Sequence, residues 1–158
     1  MEKVIYKNYH FTGATKVVDG VTLKQIECEM CGVGGWIESE QNLAQEGECW
    51  VYDDAMVFGN AKVYENAKVS GNAKVYKNAQ VYGEAQVYGN AKIYGKARVY
   101  GCAWVYKNAK VLGNAEVFDD ARVFGDAKLN GNAKVYDGYL AYYSEKLGCT
   151  VITESYSD

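Results

Sequence analysis

Proline is absent from this sequence, histidine occurs once, at His10, and no apolar run approaches the roughly 18 residues of a membrane span. Each absence excludes something. Without proline, a sharp corner must be built from Gly, Asn or Asp, which accept left-handed backbone angles cheaply. One histidine cannot make a multi-histidine metal centre. The stretch MEKVIYKNYH carries charge where a secretory signal needs an apolar segment, so a cytoplasmic protein is expected, with no membrane span. A basic excess is also lacking. The formal net charge of −3 makes a nucleic-acid partner unlikely by composition and leaves room only for a local basic stripe. The five cysteines, Cys28, Cys31, Cys49, Cys102 and Cys149, are odd in number and scattered, which argues for reduced thiols rather than a secreted disulfide scaffold.

What the sequence does have is a repeat. Alanine falls every six residues from Ala55 to Ala133, with Cys49 in the slot before. An aliphatic residue follows each of these two positions later, from Val51 through Ile93 to Val135. The unit reads V-Y-G-N-A-K. Within A-K-V-Y the alternation has period 2, so Ala and Val share one face and Lys and Tyr the other, which predicts short strands. The G-N pair predicts a corner after each strand. Six residues cannot bury their own apolar face, so units must stack. Three units close a triangle, and the next coil lies one strand spacing, about 4.8 Å, further along. Fifteen units give five 18-residue coils. The expected fold is all-β, a left-handed parallel β-helix in the form of a triangular solenoid over 43–137. A capping segment precedes it over 1–42 and another follows over 138–158.

The pattern resembles the hexapeptide-repeat left-handed β-helix superfamily, in which an aliphatic residue is followed four later by a small one, as in Val63 to Ala67 and Val81 to Ala85. It is most similar to a Tyr-Gly-Asn-Ala-rich branch common in bacterial and prophage genomes. There a GG-(W/Y)-I-E segment leads into the repeats, matched by Gly34, Gly35, Trp36, Ile37 and Glu38, and then by Asn42, Leu43, Gln45, Glu46, Gly47, Cys49, Trp50, Val51 and Tyr52. Members are often named acyltransferases, a name that rests on the fold. The catalytic acyltransferases of this superfamily carry a histidine on the coils beside a long loop. Here His10 precedes the coils, which run on without an insertion. The γ-class carbonic anhydrases on this fold use three histidines and are excluded by count.

The ends need caps, because a solenoid exposes sheet edges. TKVV-DG-VTLKQI reads as a β-hairpin with Asp19-Gly20 as its type I′ turn. YLAYYSEKLG reads as a short helix closed by Gly148, followed by a strand CTVIT. Cys28-x-x-Cys31 is half of a zinc or redox signature, and with no second pair the two read as ordinary cap cysteines. No catalytic, metal or cofactor residues are assigned.

The 18-residue period sorts the outward residues into three faces. The first carries Trp50, Lys68, Gln86, Trp104 and Arg122; the second Met56, Lys74, Lys92, Lys110 and Lys128; the third Lys62, Gln80, Arg98, Glu116 and Lys134. Four lysines in one column repel, which lysines splayed into water over neighbouring Tyr rings, or an anionic partner, would relieve. The third corner is acidic, with Glu65, Glu84, Asp119, Asp120 and Asp137, and a basic face with an acidic edge suits side-by-side packing of identical prisms about a threefold axis. The residue after each aliphatic is aromatic in 12 of the 15 units, broken by Ser70, Leu112 and Asn130. These columns read first as coil-to-coil stacking and second as a binding surface. The expected function is a non-enzymatic scaffold binding a protein partner or itself, with a trimer favoured. The candidate residues are Lys74, Lys92, Lys110, Lys128, Tyr76, Tyr94, Trp50 and Trp104. The prophage resemblance implies an inhibitor of a host defence complex. The alternatives are an acetyl-CoA-dependent acyltransferase and a trimeric structural component of a phage particle.

Overall fold

A computed structural model describes residues 6–154 as three parallel sheets wrapped around one core. The outer ends of the two expected capping segments, 1–5 and 155–158, lie outside the described residues. Fifteen two-residue strands recur every six residues, from β4 (Trp50–Val51) to β18 (Lys134–Val135). All but the last two pair in parallel with the strand 18 residues on, without a register shift: Lys74 opposite Lys92, Lys92 opposite Lys110, Gln86 opposite Trp104, Arg98 opposite Glu116. The chain is thus a three-sided β-solenoid, and each face expected from the repeat is one sheet.

The period-2 alternation explains the core. Every inward Ala from Ala55 to Ala127 and every inward Val or Ile from Val51 to Val123 is essentially buried. The backbone between them bonds along the axis: Lys92 N–H donates to Ala109 O at 2.9 Å and Tyr94 N–H to Val111 O at 3.0 Å. Only the first residue of each corner pair is left-handed, with Gly101 at φ 63°. A Cβ there would stand 2.6 Å from Asp119 N on the next coil, so both the backbone angle and the close approach favour glycine. Five corners hold other residues in the same left-handed region, namely Asp53, Glu65, Lys77, Lys107 and Asp119. Two of these put the carboxylate to use. Asp53 Oδ2 accepts the Gly71 N–H at 3.1 Å and Glu65 Oε2 the Gly83 N–H at 2.9 Å, each on the following coil.

At the N-terminal end β1 (His10–Val18) and β2 (Val21–Cys28) form the expected hairpin, with Asp19 and Gly20 both left-handed. β3 (Gly32–Ile37) converts this antiparallel cap into the parallel stack: it pairs antiparallel with β2, and its Trp36 and Ile37 sit in parallel register with Met56 and Val57. Two buried polar side chains finish the end. Asn42 Oδ1 accepts N–H groups of Glu38 and Ser39 at 3.1 and 2.9 Å, and Asn42 Nδ2 donates to Gly59 O and Ala61 O at 3.1 and 2.9 Å. Lys7 Nζ donates to the carbonyls of Gln45, Glu46 and Gly47 at 3.0–3.3 Å. Exposed strand-edge groups are thereby paired without a further strand.

The C-terminal helix expected over YLAYYSEKLG does not form. β19 (Tyr139–Ser144) and β20 (Cys149–Glu154) make an antiparallel hairpin instead. Leu140 and Ala141 lie in register with Arg122 and Val123, so the open edge of the first sheet templates a strand from residues whose Tyr content also suits one. The expected strand at CTVIT is present, and Thr150 Oγ1 accepts the Lys128 N–H at 2.8 Å across the end of the second sheet. A three-residue turn at Glu40–Asn42 is the one helical element among the described residues, and no helix there is long and apolar enough to cross a membrane.

Replacing Asn42 by Ala should strand several buried backbone groups and lower stability by about 1–3 kcal/mol, read from urea unfolding. A variant as stable as the parent would show that water takes over the role of this side chain.

Candidate interaction surface

Lys74, Lys92, Lys110 and Lys128 stand directly above one another on the second sheet, at the strand spacing of about 4.8 Å, below Met56 and Trp36. Lys74 and Lys92 are half-buried, Lys110 and Lys128 exposed. Ion pairs among the described residues are His10–Glu27 at 3.0 Å and Lys134–Glu116 at 3.8 Å; neither touches this column.

Where the residue closing a strand and its equivalent one coil on are both aromatic, the two rings stack. Along the edge of the lysine sheet Phe58, Tyr76 and Tyr94 stack with centroids 5.2 and 4.9 Å apart and planes within 7°, until Leu112 and Asn130 end the ladder. The other edges carry Tyr64–Tyr82–Tyr100–Phe118–Tyr136 at 4.8–5.6 Å and Tyr88–Tyr106–Phe124–Tyr142 at 5.0–6.0 Å. Each good contact contributes about 0.5–1.5 kcal/mol beyond burial, so the ladders hold coil to coil as well as presenting rings to solvent. Burial, then Tyr94 and then the Asp19 carboxylate push the Tyr76 phenol above its usual value. The turn of the N-terminal hairpin therefore reaches towards the start of this face.

Of the residues singled out from sequence, the structure brings together the four lysines, Tyr76 and Tyr94. Trp104 is on the first sheet, half-buried, edge-on to Tyr88 at 6.5 Å and beneath the Arg122 guanidinium at 4.6 Å. Trp50, expected to point outward, is only 2% exposed. The cap explains this: Tyr9 packs against it edge-on at 6.0 Å, and Gly34 lies so close that a Cβ there would meet the indole at 2.7 Å. Column counting also missed three lysines at the corners bordering the second sheet, Lys77, Lys96 and Lys107. Lys77 and Lys107 signal themselves by standing where glycine is usual. Their ammonium groups lie 5.5 Å over Tyr94 and 5.7 Å over Phe124, a cation–π arrangement that favours the positive charge.

The surface has shallow depressions, one of about 420 Å³ beside Gln41, Lys62, Tyr64 and Gln80, another of about 440 Å³ at Gly101, Cys102, Asp119, Asp120 and Asp137. His10 lies on the cap, paired to Glu27 and away from both. Among the described residues no three His, Cys, Asp or Glu side chains are grouped to hold a metal ion.

Three parallel sheets built from a six-residue unit with inward Val and Ala define a hexapeptide-repeat β-solenoid. A family model described as the YdcK beta solenoid repeat matches residues 85–101. Over 29 residues the chain is 62% identical to a protein of Escherichia coli K12 named uncharacterized acetyltransferase YdcK. That match covers 18% of this chain and 9% of the relative, so the chain spans less than a tenth of that protein.

Replacing Lys92 by Gln removes a charge held between two others. Thermal unfolding at low ionic strength should show a gain of up to about 1 kcal/mol. In 1 M salt, where the screening length falls to about 3 Å, the gain should vanish. Equal effects at both ionic strengths would mean that the column carries no significant repulsion.

Proposed function

We propose that this chain is a non-enzymatic solenoid scaffold whose lysine face binds an anionic macromolecular partner or a further copy of the same chain. The supporting observation is the column Lys74, Lys92, Lys110 and Lys128, held in register on a rigid sheet and without a carboxylate partner among the described residues. A partner that neutralises such a column relieves its self-repulsion and gains rate and specificity from it. In a ring of parallel solenoids every residue sits at the same height in each copy. Lys74 then shares its coil with Glu84, Lys110 with Asp119 and Asp120, and Lys128 with Asp137, so the acidic third corner matches the lysine face at three of its four levels, Lys92 sharing its coil with Gly101 and Cys102. Inhibition of a host defence complex in the cytoplasm, suggested by the resemblance to prophage members, is one form of this reading.

Light scattering and low-salt pull-down test it with one variant, Lys92→Glu with Lys110→Glu. We expect the wild type to form a trimer, or to retain a stoichiometric partner, in a salt-sensitive way, and the variant to lose either. A wild-type monomer that retains nothing would count against the reading.

The second reading, an acetyl-CoA-dependent acetyltransferase, is favoured by the name of the Escherichia coli relative. The uninterrupted coils and the placement of His10 on the cap weigh against it. Saturating acetyl-CoA at about 100 times its Kd would stabilise a binding fold by roughly 2.7 kcal/mol. An unchanged melting temperature across the accessible concentrations removes this reading.

A further inference from the structure

The lysine face leaves one chemically distinctive cluster unused, at the turn between β2 and β3. Cys28 ends β2 and pairs with Gly32 at the start of β3, so Cys28 and Cys31 are the first and fourth residues of the reversal. A four-residue turn brings its first and last Cα atoms within about 7 Å, a separation that overlaps the range a disulfide accepts. Each thiol acts on the ionisation of the other. Cys28 is buried, with its S–H donating to the Lys7 carbonyl at 3.3 Å. Cys31 is partly exposed and lines a depression of about 340 Å³ with Lys7, Met30, Glu48, Trp50 and Tyr52. Trp50 brings a buried indole N–H that has no hydrogen-bond partner.

We propose that Cys28 and Cys31 form a thiol–disulfide exchange site, which takes low-molecular-weight disulfides at Cys31 and closes reversibly to an intramolecular disulfide. Burial disfavours charge on Cys28, yet the Cys31 thiol, the backbone of the turn at Met30 and Cys31 and the Lys7 ammonium outweigh it and hold the Cys28 thiol below its usual range. Burial and the Cys28 sulfur push the Cys31 thiol up to about 12, so Cys28 is the first of the pair to ionise. Transfer of the Cys31 proton to Cys28 puts the charge on the partly exposed sulfur, and the Cys31 thiolate then attacks a small disulfide. A new S–S bond forms, the old one breaks, and the first leaving thiolate takes the proton of Cys28. The Cys28 thiolate then attacks the Cys31 sulfur and expels a second thiolate, which is protonated by water. Two thiols leave, and the protein is oxidised by two electrons. Cys49 is buried, its thiol pushed up chiefly by that burial, while Cys102 and Cys149 are exposed, free thiols.

Equilibrating the full chain in buffers of varied reduced-to-oxidised glutathione, quenching with acid, unfolding and alkylating reads this out. A glutamate-specific protease then cuts after Glu29, between the two cysteines, and after Glu48, ahead of Cys49. We expect the fragments bearing Cys28 and Cys31 to remain joined in oxidising buffer, lighter by two hydrogen atoms and free of alkyl label, and to separate in reducing buffer. Cys28→Ser should trap glutathione on Cys31; if that variant fails to melt cooperatively, the wild-type fragments decide alone. Separate, fully alkylated fragments at the most oxidising ratio, or linkage of either cysteine to Cys49, would overturn the proposal. A salt-insensitive monomer would leave it standing, so its failure and that of the lysine-face reading are distinguishable.

Discussion

The structure depends on the narrow interior into which Val and Ala alternate. Three strands converge on one axis, and only a small residue beside a branched one fills the space without strain. That steric demand fixes the six-residue period, and the period fixes register: residue i lies over residue i+18 wherever the stack runs. The ladders of Tyr and Phe and the column of lysines follow from this repetition. Like residues meet because the core does not allow the coils to slide. A one-residue slip would turn every Val outward and every Lys inward.

Such a frame is stable along its length and vulnerable at its ends. Each interior coil has its N–H and C=O groups matched by the coils on either side, whereas the terminal ones do not. The N-terminal end is closed largely by side chains acting as backbone substitutes, with the Asn42 amide bonding both ways and the Lys7 ammonium capping three carbonyls. The C-terminal end is closed by more backbone, in the hairpin of β19 and β20. Cysteine chemistry and the buried tryptophan gather at the first of these ends because there the chain departs from its repeat and can place unlike residues side by side.

What the sequence made legible follows the same division. The faces, the inward set and the corners were readable because each is a statement about residues six or 18 apart, and Asp19-Gly20 announces its hairpin locally. Trp50 misled because it occupies an outward slot in the repeat, while the residues that cover it, Tyr9 and Gly34, come from non-repeating chain. YLAYYSEKLG misled because its helical pattern is weaker than the template offered by Arg122 and Val123. The lysine column was visible as a period; its flanking lysines Lys77, Lys96 and Lys107 were not, because they sit at corners, outside the strand positions from which the faces are counted. The roles of Lys7 and Asn42 are long-range pairings with backbone, which no local pattern encodes.

Parallel stacking at constant register also makes the solenoid a ruler. One more coil would cost 18 residues, lengthen the molecule by about 4.8 Å and extend each stripe by one side chain without disturbing the rest. Any surface that lies along the lysine stripe is therefore measured in steps of that size, and its own charges must recur at a matching pitch to engage the whole length. A partner with a different spacing would meet one or two lysines and miss the others.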